Sequence, residues 1–414
     1  MNSDEACPLG DLVELRRGST YKSALLHQQG PVLLGLSSIT PNGGFRRDSL
    51  KQYGGDSPED ITLRPGDVYV SLKDVTQSGD LLGAVARVPA DVHAGRLTQD
   101  TVKLIFRDGF SEQAEYIYWL LRSPRYREYC RTHAIGVTTL ALPRDDFLAF
   151  PVPPCTSTRV AIVRALHALD DKIDHNRAFA RRLVVAARTA FESVDGERVR
   201  LSDVAELEKG VSYKGSGLQD SGLPMFNLAN FTTAGWLDRS GLKYYSGDFR
   251  DRHVVTEGDL LLANTDLTQR RAILGQPILV PRGTEKALFT HHVFALRFRG
   301  PETRLRLLTF FALQSSEFRA RAETFATGTT VAALPRDAVL DFEIQVPDAA
   351  ELELLTGAAD ALVRRAWKAE DESILLASVR NALLPKLVSG DIRVPESYDP
   401  NDVLGTVVEQ VAAS

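Results

Sequence analysis

The stretch GVTTLALPRD, Gly136 to Asp145, is written a second time as GTTVAALPRD, Gly328 to Asp337. A chance echo of this length within one chain is rare, so the fold question begins with how far it reaches. The arginine at 144 recurs at 336, an offset of 192 residues. That offset lays DLVELRRGSTYK (Asp11 to Lys22) on DVAELEKGVSYK (Asp203 to Lys214). It lays RPGDVYVSLKDVTQ (Arg64 to Gln77) on TEGDLLLANTDLTQ (Thr256 to Gln269), and TQDTVKLIFR (Thr98 to Arg107) on THHVFALRFR (Thr290 to Arg299). RSPRYR (Arg122 to Arg127) falls on QSSEFR (Gln314 to Arg319). The chain is a tandem duplication of two long units, and its period is far longer than that of a solenoid repeat.

Each unit opens with short apolar or alternating runs, DVYVSL, DLLLAN, TVKLIF and HVFALRF, broken by Gly, Pro, Asn and Asp. Such runs read as strands and turns. AEYIYWLLRSPRYREYCRT and RLRLLTFFALQSSEFRARAET read as helices. The repeated phrase follows each as a loop, and an apolar strand ending in proline, FLAFPVP or VLDFEIQVP, comes next.

Then the character changes. From about Thr158 to Phe191 there is neither Gly nor Pro. Ile162, Leu166, Leu169, Ile173, Asn176, Ala180, Leu183, Ala187 and Ala190 recur in steps of four and three, a heptad seam with one polar member, Asn176. About 34 residues of helix make a rod of about 50 Å. In the second unit Asp348 and Glu351 have capping-box spacing, and Leu352, Leu355, Ala359, Leu362, Ala366, Ala369, Ser373 and Leu376 form a similar stripe. Pro385 is expected to end that helix. An apolar stripe needs a partner, and each long helix supplies one for the other. The expected architecture is α+β. Two similar mixed α/β domains (1–155 and 196–347) are joined by two long antiparallel coiled-coil helices (156–195 and 348–390) with pseudo-two-fold symmetry, and residues 391–414 form a tail.

Composition narrows the function. A chain of 414 residues with 43% hydrophobic and 25% charged residues has an ordinary globular balance. No apolar run reaches a membrane span, and the opening MNSDEACPLG lacks the basic and apolar regions of a signal peptide. Cys7, Cys130 and Cys155 show no Cys-x-x-Cys pair, which fits a reduced, cytoplasmic setting. A formal net charge of −5 argues mildly against nucleic-acid binding as a bulk property, although a local groove matters more than the sum. Basic clusters stand at Arg16-Arg17, Arg46-Arg47, Arg122 to Arg131 and Arg270-Arg271, and each alone reads first as a solvated face.

Catalytic signatures are missing. GVSYKGSG places Lys214 before Gly215, the wrong order for a phosphate loop. VPPC (Val152 to Cys155) shares only its prolines with the Asn/Asp-Pro-Pro-aromatic motif of amino-methyltransferases. The carboxylates of DDK (Asp170 to Lys172) lie on the long helix, where outer charges are expected. His291 and His292, read on a strand, point to opposite faces and make no metal pair. Repeated units without a repeated catalytic constellation describe a binder or a scaffold, with no catalytic residue, metal or cofactor of its own.

The order domain, long helix, domain, long helix resembles the DNA specificity (S) subunit of type I restriction-modification systems. The passages ending in Leu-Pro-Arg-Asp, an apolar strand, proline and a long helix resemble the ends of that family's target-recognition domains, and NALLPKLVSGDIRV (Asn381 to Val394) resembles its closing phrase. The resemblance spans roughly residues 9 to 394. One departure is that STRV and AELE stand where the family often has Glu-Gln before the long helix. The resemblance implies a non-catalytic subunit that binds double-stranded DNA. Each domain would read one half of a split target. The helices would set the spacing and dock two methyltransferase subunits, which carry S-adenosylmethionine and flip out a target adenine. Motor-nuclease subunits are a further implied partner; a membrane is not. The competing reading is a coiled-coil scaffold with two protein-binding globular domains.

Base reading requires side chains that match base edges, and such positions should differ between the units. The loops SLKDVTQSGD and ANTDLTQRRA fit. The candidates are Lys73, Thr76 and Gln77 in the first, and Asn264, Thr268, Gln269, Arg270 and Arg271 in the second. Residues common to both units should do generic work. Tyr21, Lys22, Tyr213 and Lys214, with Thr138, Thr330, Arg144 and Arg336, are candidates for phosphate. Arg144 is equally readable as a structural residue paired with Asp145 or a neighbouring carboxylate.

Overall fold

The computed structural model describes residues 6–389, apart from 42, 48, 49, 76–78, 138, 193, 234, 268–270, 329 and 330. Of the candidates, Thr76, Gln77, Thr138, Thr268, Gln269, Arg270 and Thr330 lie outside the described residues, as does the 391–414 tail. The chain divides into two compact units, Met1–Ile173 with Ile374–Ser414, and Asp174–Ser373. This division cuts through both long helices rather than falling at their ends.

In the first unit a four-stranded antiparallel sheet has the order Val13–Arg17, Thr101–Phe106, Val68–Ser71, Val85–Arg87. In the second the order is Ala205–Lys209, Val293–Phe298, Leu260–Ala263, Pro277–Leu279. Every strand starts 192 residues after its counterpart, so the duplication seen in the sequence is a duplication of register. Each unit has a second, smaller sheet. It is three-stranded in the first (Val32–Leu34, Gly95–Leu97, Thr62–Leu63). In the second it is five-stranded, with Leu218–Gln219 and Lys243–Tyr245 added.

The expected single helices before each repeated phrase are helix pairs. Ala114–Leu120 and Pro124–Thr132 are separated at Ser123, whose hydroxyl caps the second by accepting from the Tyr126 N–H at 3.3 Å. Arg306–Ala312 and Ser316–Phe325 break in the same way at Ser315. In the first pair Pro124 after the serine strengthens the new start, and in the second the Ser315 cap does so alone; either outweighs the continuous apolar pattern. The passages expected as one apolar strand likewise begin as short helices, Arg144–Leu148 and Arg336–Leu340, and only then extend into Pro151–Val152 and Glu343–Val346.

The long helices are Ser157–Thr189 and Ala349–Ser389. Thr156 Oγ1 accepts from the Arg159 N–H at 3.4 Å to start the first, and Asp348 Oδ1 accepts from Ala350 and Glu351 at 3.0 and 2.9 Å to start the second. The second does not stop before Pro385. It passes through it, losing one backbone hydrogen bond near its end, while Leu384 stays buried against the first unit's core. The expected stripe is buried from Ile162 through Leu166, Leu169, Ile173 and Asn176 to Ala180. In the first unit Leu169 and Ile173 form a cluster with Leu376 and Val379. In the second, Ala180, Val184 and Ala187 share a core with Ala359, Val363 and Ala366. Burying each large aliphatic side chain contributes about 1.5–3 kcal/mol. Among the described residues, no helix is long and apolar enough to cross a membrane.

Candidate nucleic-acid interface

The repeated phrase earns its place by pairing with the other repeated loop. Leu140–Ala141 forms a two-stranded ribbon with Lys73–Asp74, and Ala332–Ala333 with Thr265–Asp266. The phrase itself folds as a hairpin in which Ile135 and Ala141 exchange backbone hydrogen bonds of 2.9 and 2.8 Å. Its glycine is required. Gly136 has φ +102°, and a Cβ there would stand 2.3 Å from the Thr139 carbonyl oxygen; Gly328, at φ +87°, has the same conflict with Val331.

The loop that leaves the ribbon is held from two sides. Asp74, fully buried, accepts the Leu81 N–H at 2.6 Å. Arg127, from the helix Pro124–Thr132, donates to the carbonyls of Leu82 (2.5 Å), Asp80 (2.7 Å) and Gly79 (3.4 Å). In the second unit Asp266 accepts the Ile273 N–H at 2.8 Å, and Arg319 donates to the carbonyls of Leu274 (2.7 Å) and Arg271 (2.5 Å). Burial lowers the Arg127 pKa, but an arginine keeps its charge.

At the ribbon base Lys73 Nζ lies 3.2 Å from Asp100. The matching pair in the second unit is Thr265 Oγ1 with His292 Nδ1 at 2.8 Å. His291 and His292 lie in a turn rather than on a strand, and their ring centroids are 3.9 Å apart, not on opposite faces. Burial first, then His291 and Lys209, lowers the His292 pKa below the usual histidine value.

The other candidates divide by environment. Asn264 is buried, and its amide donates to the His291 carbonyl at 3.1 Å, so its side chain is occupied inside the fold. Arg271 has φ +50° and donates to the Gly328 carbonyl at 3.2 Å, which ties the loop to the repeated hairpin. Arg336 donates to the Leu207 carbonyl and lies over the Phe294 ring, a structural use. Arg144 opens its short helix with its side chain in solvent. Tyr21 stands edge-on to Tyr53, whose hydroxyl accepts the Lys22 N–H at 3.3 Å. Tyr213 stands edge-on to Tyr245 and takes Lys243 over its ring at 5.6 Å, while Lys214 is exposed. Tyr213 also lies 6.4 Å from the His291 ring, which brings it toward the ribbon base of its unit.

Sequence reasoning missed the holding groups Asp74, Asp266, Arg127 and Arg319, although all four are common to both repeats and carried that signal. It also missed Val75 and Leu267, matched aliphatic residues beside the ribbons that are 64% and 62% exposed, and Val137 at 98%. Among the described residues, no group of three or more His, Cys, Asp or Glu could hold a metal ion.

These features define a duplicated presenter of loops: two sheets of one register, each carrying a ribbon with a held loop, and two long helices. Among solved structures, the type I restriction-modification S subunit from M. genitalium matches with a TM-score of 0.52 at 13% identity, over 94% of this chain and 97% of that one. A structure described as showing complex assembly and conformational transition of the type I R-M system matches at 19% identity and TM-score 0.37, over 94% and 98%. The HsdS subunit from Thermoanaerobacter tengcongensis matches at 19% identity and TM-score 0.30, over 95% and 98%. The M. genitalium match, at a TM-score above 0.5, gives this chain the fold of a type I S subunit. No family model and no curated protein matches its sequence.

Proposed function

We propose that the chain is the DNA-specificity subunit of a type I restriction-modification complex. The observation that carries the reading is the ribbon with its held loop, present twice at one offset, on a fold shared with an S subunit. A split target on a duplex needs two readers, and one duplicated chain supplies both. Each domain reads one half. The paired long helices act as an antiparallel coiled coil that sets the spacing and docks two methyltransferase subunits. The chain itself transfers no methyl group and cuts nothing. S-adenosylmethionine belongs to the methyltransferase partner, and motor-nuclease subunits complete a restricting complex. In this reading Lys73, Thr76 and Gln77 in the first unit, Thr268, Gln269, Arg270 and Arg271 in the second, and the neighbouring Val75 and Leu267 contact bases, while Lys22, Lys214, Thr138, Thr330 and Arg144 serve phosphate.

The test is selection from a pool of random duplexes by the full-length chain with its methyltransferase. A two-part sequence with a fixed gap should be enriched, and binding should weaken steeply with salt. Salt-insensitive retention with no enriched sequence would favour the protein-binding scaffold. A sharper form removes Arg177 to Leu183 and Ala369 to Leu375, one heptad from each helix. Each helix shortens by about 10 Å, and the gap should contract by about three base pairs. An unchanged gap in a folded, binding complex would remove the spacing role.

A further inference from the structure

Arg127 and Arg319 sit in stretches that sequence reading marks as basic, and a DNA-binding protein invites their assignment to phosphate. The geometry is against it. Arg127 is 4% exposed, and its two terminal nitrogens donate to three loop carbonyls. Arg319 spends its terminal nitrogens on two carbonyls, with Nε 3.5 Å from Glu323. The planar fork reaches both ends of a turn at once, which a lysine ammonium cannot do with fixed geometry. On the other side of each loop a buried aspartate takes one N–H.

Position by position the device is the same. Asp74 matches Asp266, Leu81 matches Ile273, Gly79 matches Arg271, Leu82 matches Leu274 and Arg127 matches Arg319, all at 192 residues. The turn it holds is left-handed in both units, φ +68° at Gly79 and φ +50° at Arg271. A non-glycine residue rarely keeps that conformation unless its surroundings impose it. Between the fixed points the sequences read VTQS and LTQR: the central Thr-Gln is common to both units, and the residues on either side of it differ. The frame is constant, and its contents vary at their edges.

We propose that Asp74 with Arg127, and Asp266 with Arg319, are positioning residues for sequence reading: each pair fixes the exit and return of a base-reading loop and touches no DNA itself. The proposal rests on the reading of these loops as DNA-facing. It separates arginines that aim a loop from arginines that meet phosphate. A phosphate contact is replaceable by lysine and carries no base preference. A fork that sets a turn is not replaceable by lysine, and its loss misplaces the side chains that discriminate bases.

The experiment compares wild type, Arg319→Lys and Gln269→Ala as full-length chains in the same duplex selection. Gln269→Ala tests the loop itself and should flatten base preference in one half of the target. Arg319→Lys should flatten the same half by about tenfold, the scale of one good base contact. It should leave the other half, the thermal midpoint and the slope of binding against salt unchanged. Should Arg319→Lys fold poorly, Asp266→Asn carries the same expectation, because it keeps the shape while weakening the hold on the Ile273 N–H. If Gln269→Ala flattens one half while Arg319→Lys and Asp266→Asn keep wild-type preference, the positioning role is overturned and the DNA reading survives. If Arg319→Lys retains preference while Arg319→Gln lowers the salt slope, the residue is a phosphate contact. If Gln269→Ala changes neither half, the loop is not a reader, and both readings fall.

Discussion

Lys73 faces Asp100 across the base of the first ribbon, an ion pair at 3.2 Å; at the matching place in the second, Thr265 faces His292 through a hydrogen bond of 2.8 Å. The cores show the same exchange. In the first unit Asp170 is held between Arg122 at 2.8 Å and Arg380, with Arg122 stacked on Trp119. Its counterpart in the second unit is Leu362, and that of Arg122 is Gln314. There the long helix is tied to the domain differently, through Trp236 to Glu370 and Arg239 to Asp371. Backbone register is common to both units and polarity is not. A sheet is fixed by its ladders and apolar faces, so charged contacts on the same frame are free to be replaced in pairs.

The largest test of this contrast is Asp170→Ala. It leaves two mostly buried guanidiniums unpaired and should cost the first unit about 3–5 kcal/mol. Leu362→Ala, at a half-buried site, should cost the second about 1–2 kcal/mol. Denaturant titration reads both, and equal costs would mean that the ion cluster holds nothing the leucine does not.

Next come the loop glycines, which discriminate the units by packing. A Cβ at Gly83 would meet Cys130 Sγ at 2.4 Å and the Tyr126 hydroxyl at 2.8 Å; at Gly275 the nearest atoms are at 3.1 and 3.2 Å. Both glycines have positive φ, so alanine is strained at either. Gly83→Ala should cost about 2–4 kcal/mol and Gly275→Ala about half that. Thermal melts that reverse this order would show that the first helix pair yields more readily than its contacts imply.

Acid response should separate the units too. Burial pushes Glu370 up to about 7, against the opposing Trp236 hydrogen bond and the Arg239 and Arg177 charges, with Asp371 adding to the rise. A raised carboxyl pKa favours the protonated folded state, so its contribution is full below about pH 4.5 and is lost as pH rises through about 7. Glu370→Gln keeps an acceptor for Trp236 and removes the titration. Its melting temperature should match wild type near pH 4 and exceed it near pH 8. His292 and His253 are shifted down, chiefly by burial, and act with the opposite sign, losing stability as pH falls below 6.5; both proteins carry them, so the difference isolates Glu370. For Asp170, burial is outweighed by Arg122 and Arg380, which hold it below the usual carboxylate range. Its contribution is lost only below about pH 4.

The smallest expected effect is at the ribbon bases. Lys73→Met should cost about 0.2–1 kcal/mol and less in high salt, since both partners are partly exposed. Thr265→Val should show no salt dependence. Salt-dependent losses at both sites would erase the distinction drawn between an ion pair and a neutral one.

The duplication, the strands of the main sheets and the stripes of the long helices were legible because they rest on local periodicity and on an echo within the chain. The helix break at Ser123 was also written, in a serine followed by proline, but the apolar run Tyr116 to Leu121 masked it. Pro385 misled in the other direction, because a proline near a helix end costs little once Leu384 is anchored. The ribbon joins Asp74 to Leu140 across a long stretch of chain, and no local pattern encodes that meeting. For the same reason Arg127 read as one basic residue among several, and Asn264 as a base reader rather than a buried amide.

The composition of the units has a consequence for synthesis. The second, Asp174–Ser373, is one continuous stretch, whereas the first combines the beginning of the chain with its end. As the polypeptide leaves the ribosome, the main sheet of the first unit emerges early, but Leu169 and Ile173 must wait for Leu376 and Val379. Until the last helix is made, that part of the stripe stands open to water and to other nascent chains. The half begun first is the half finished last.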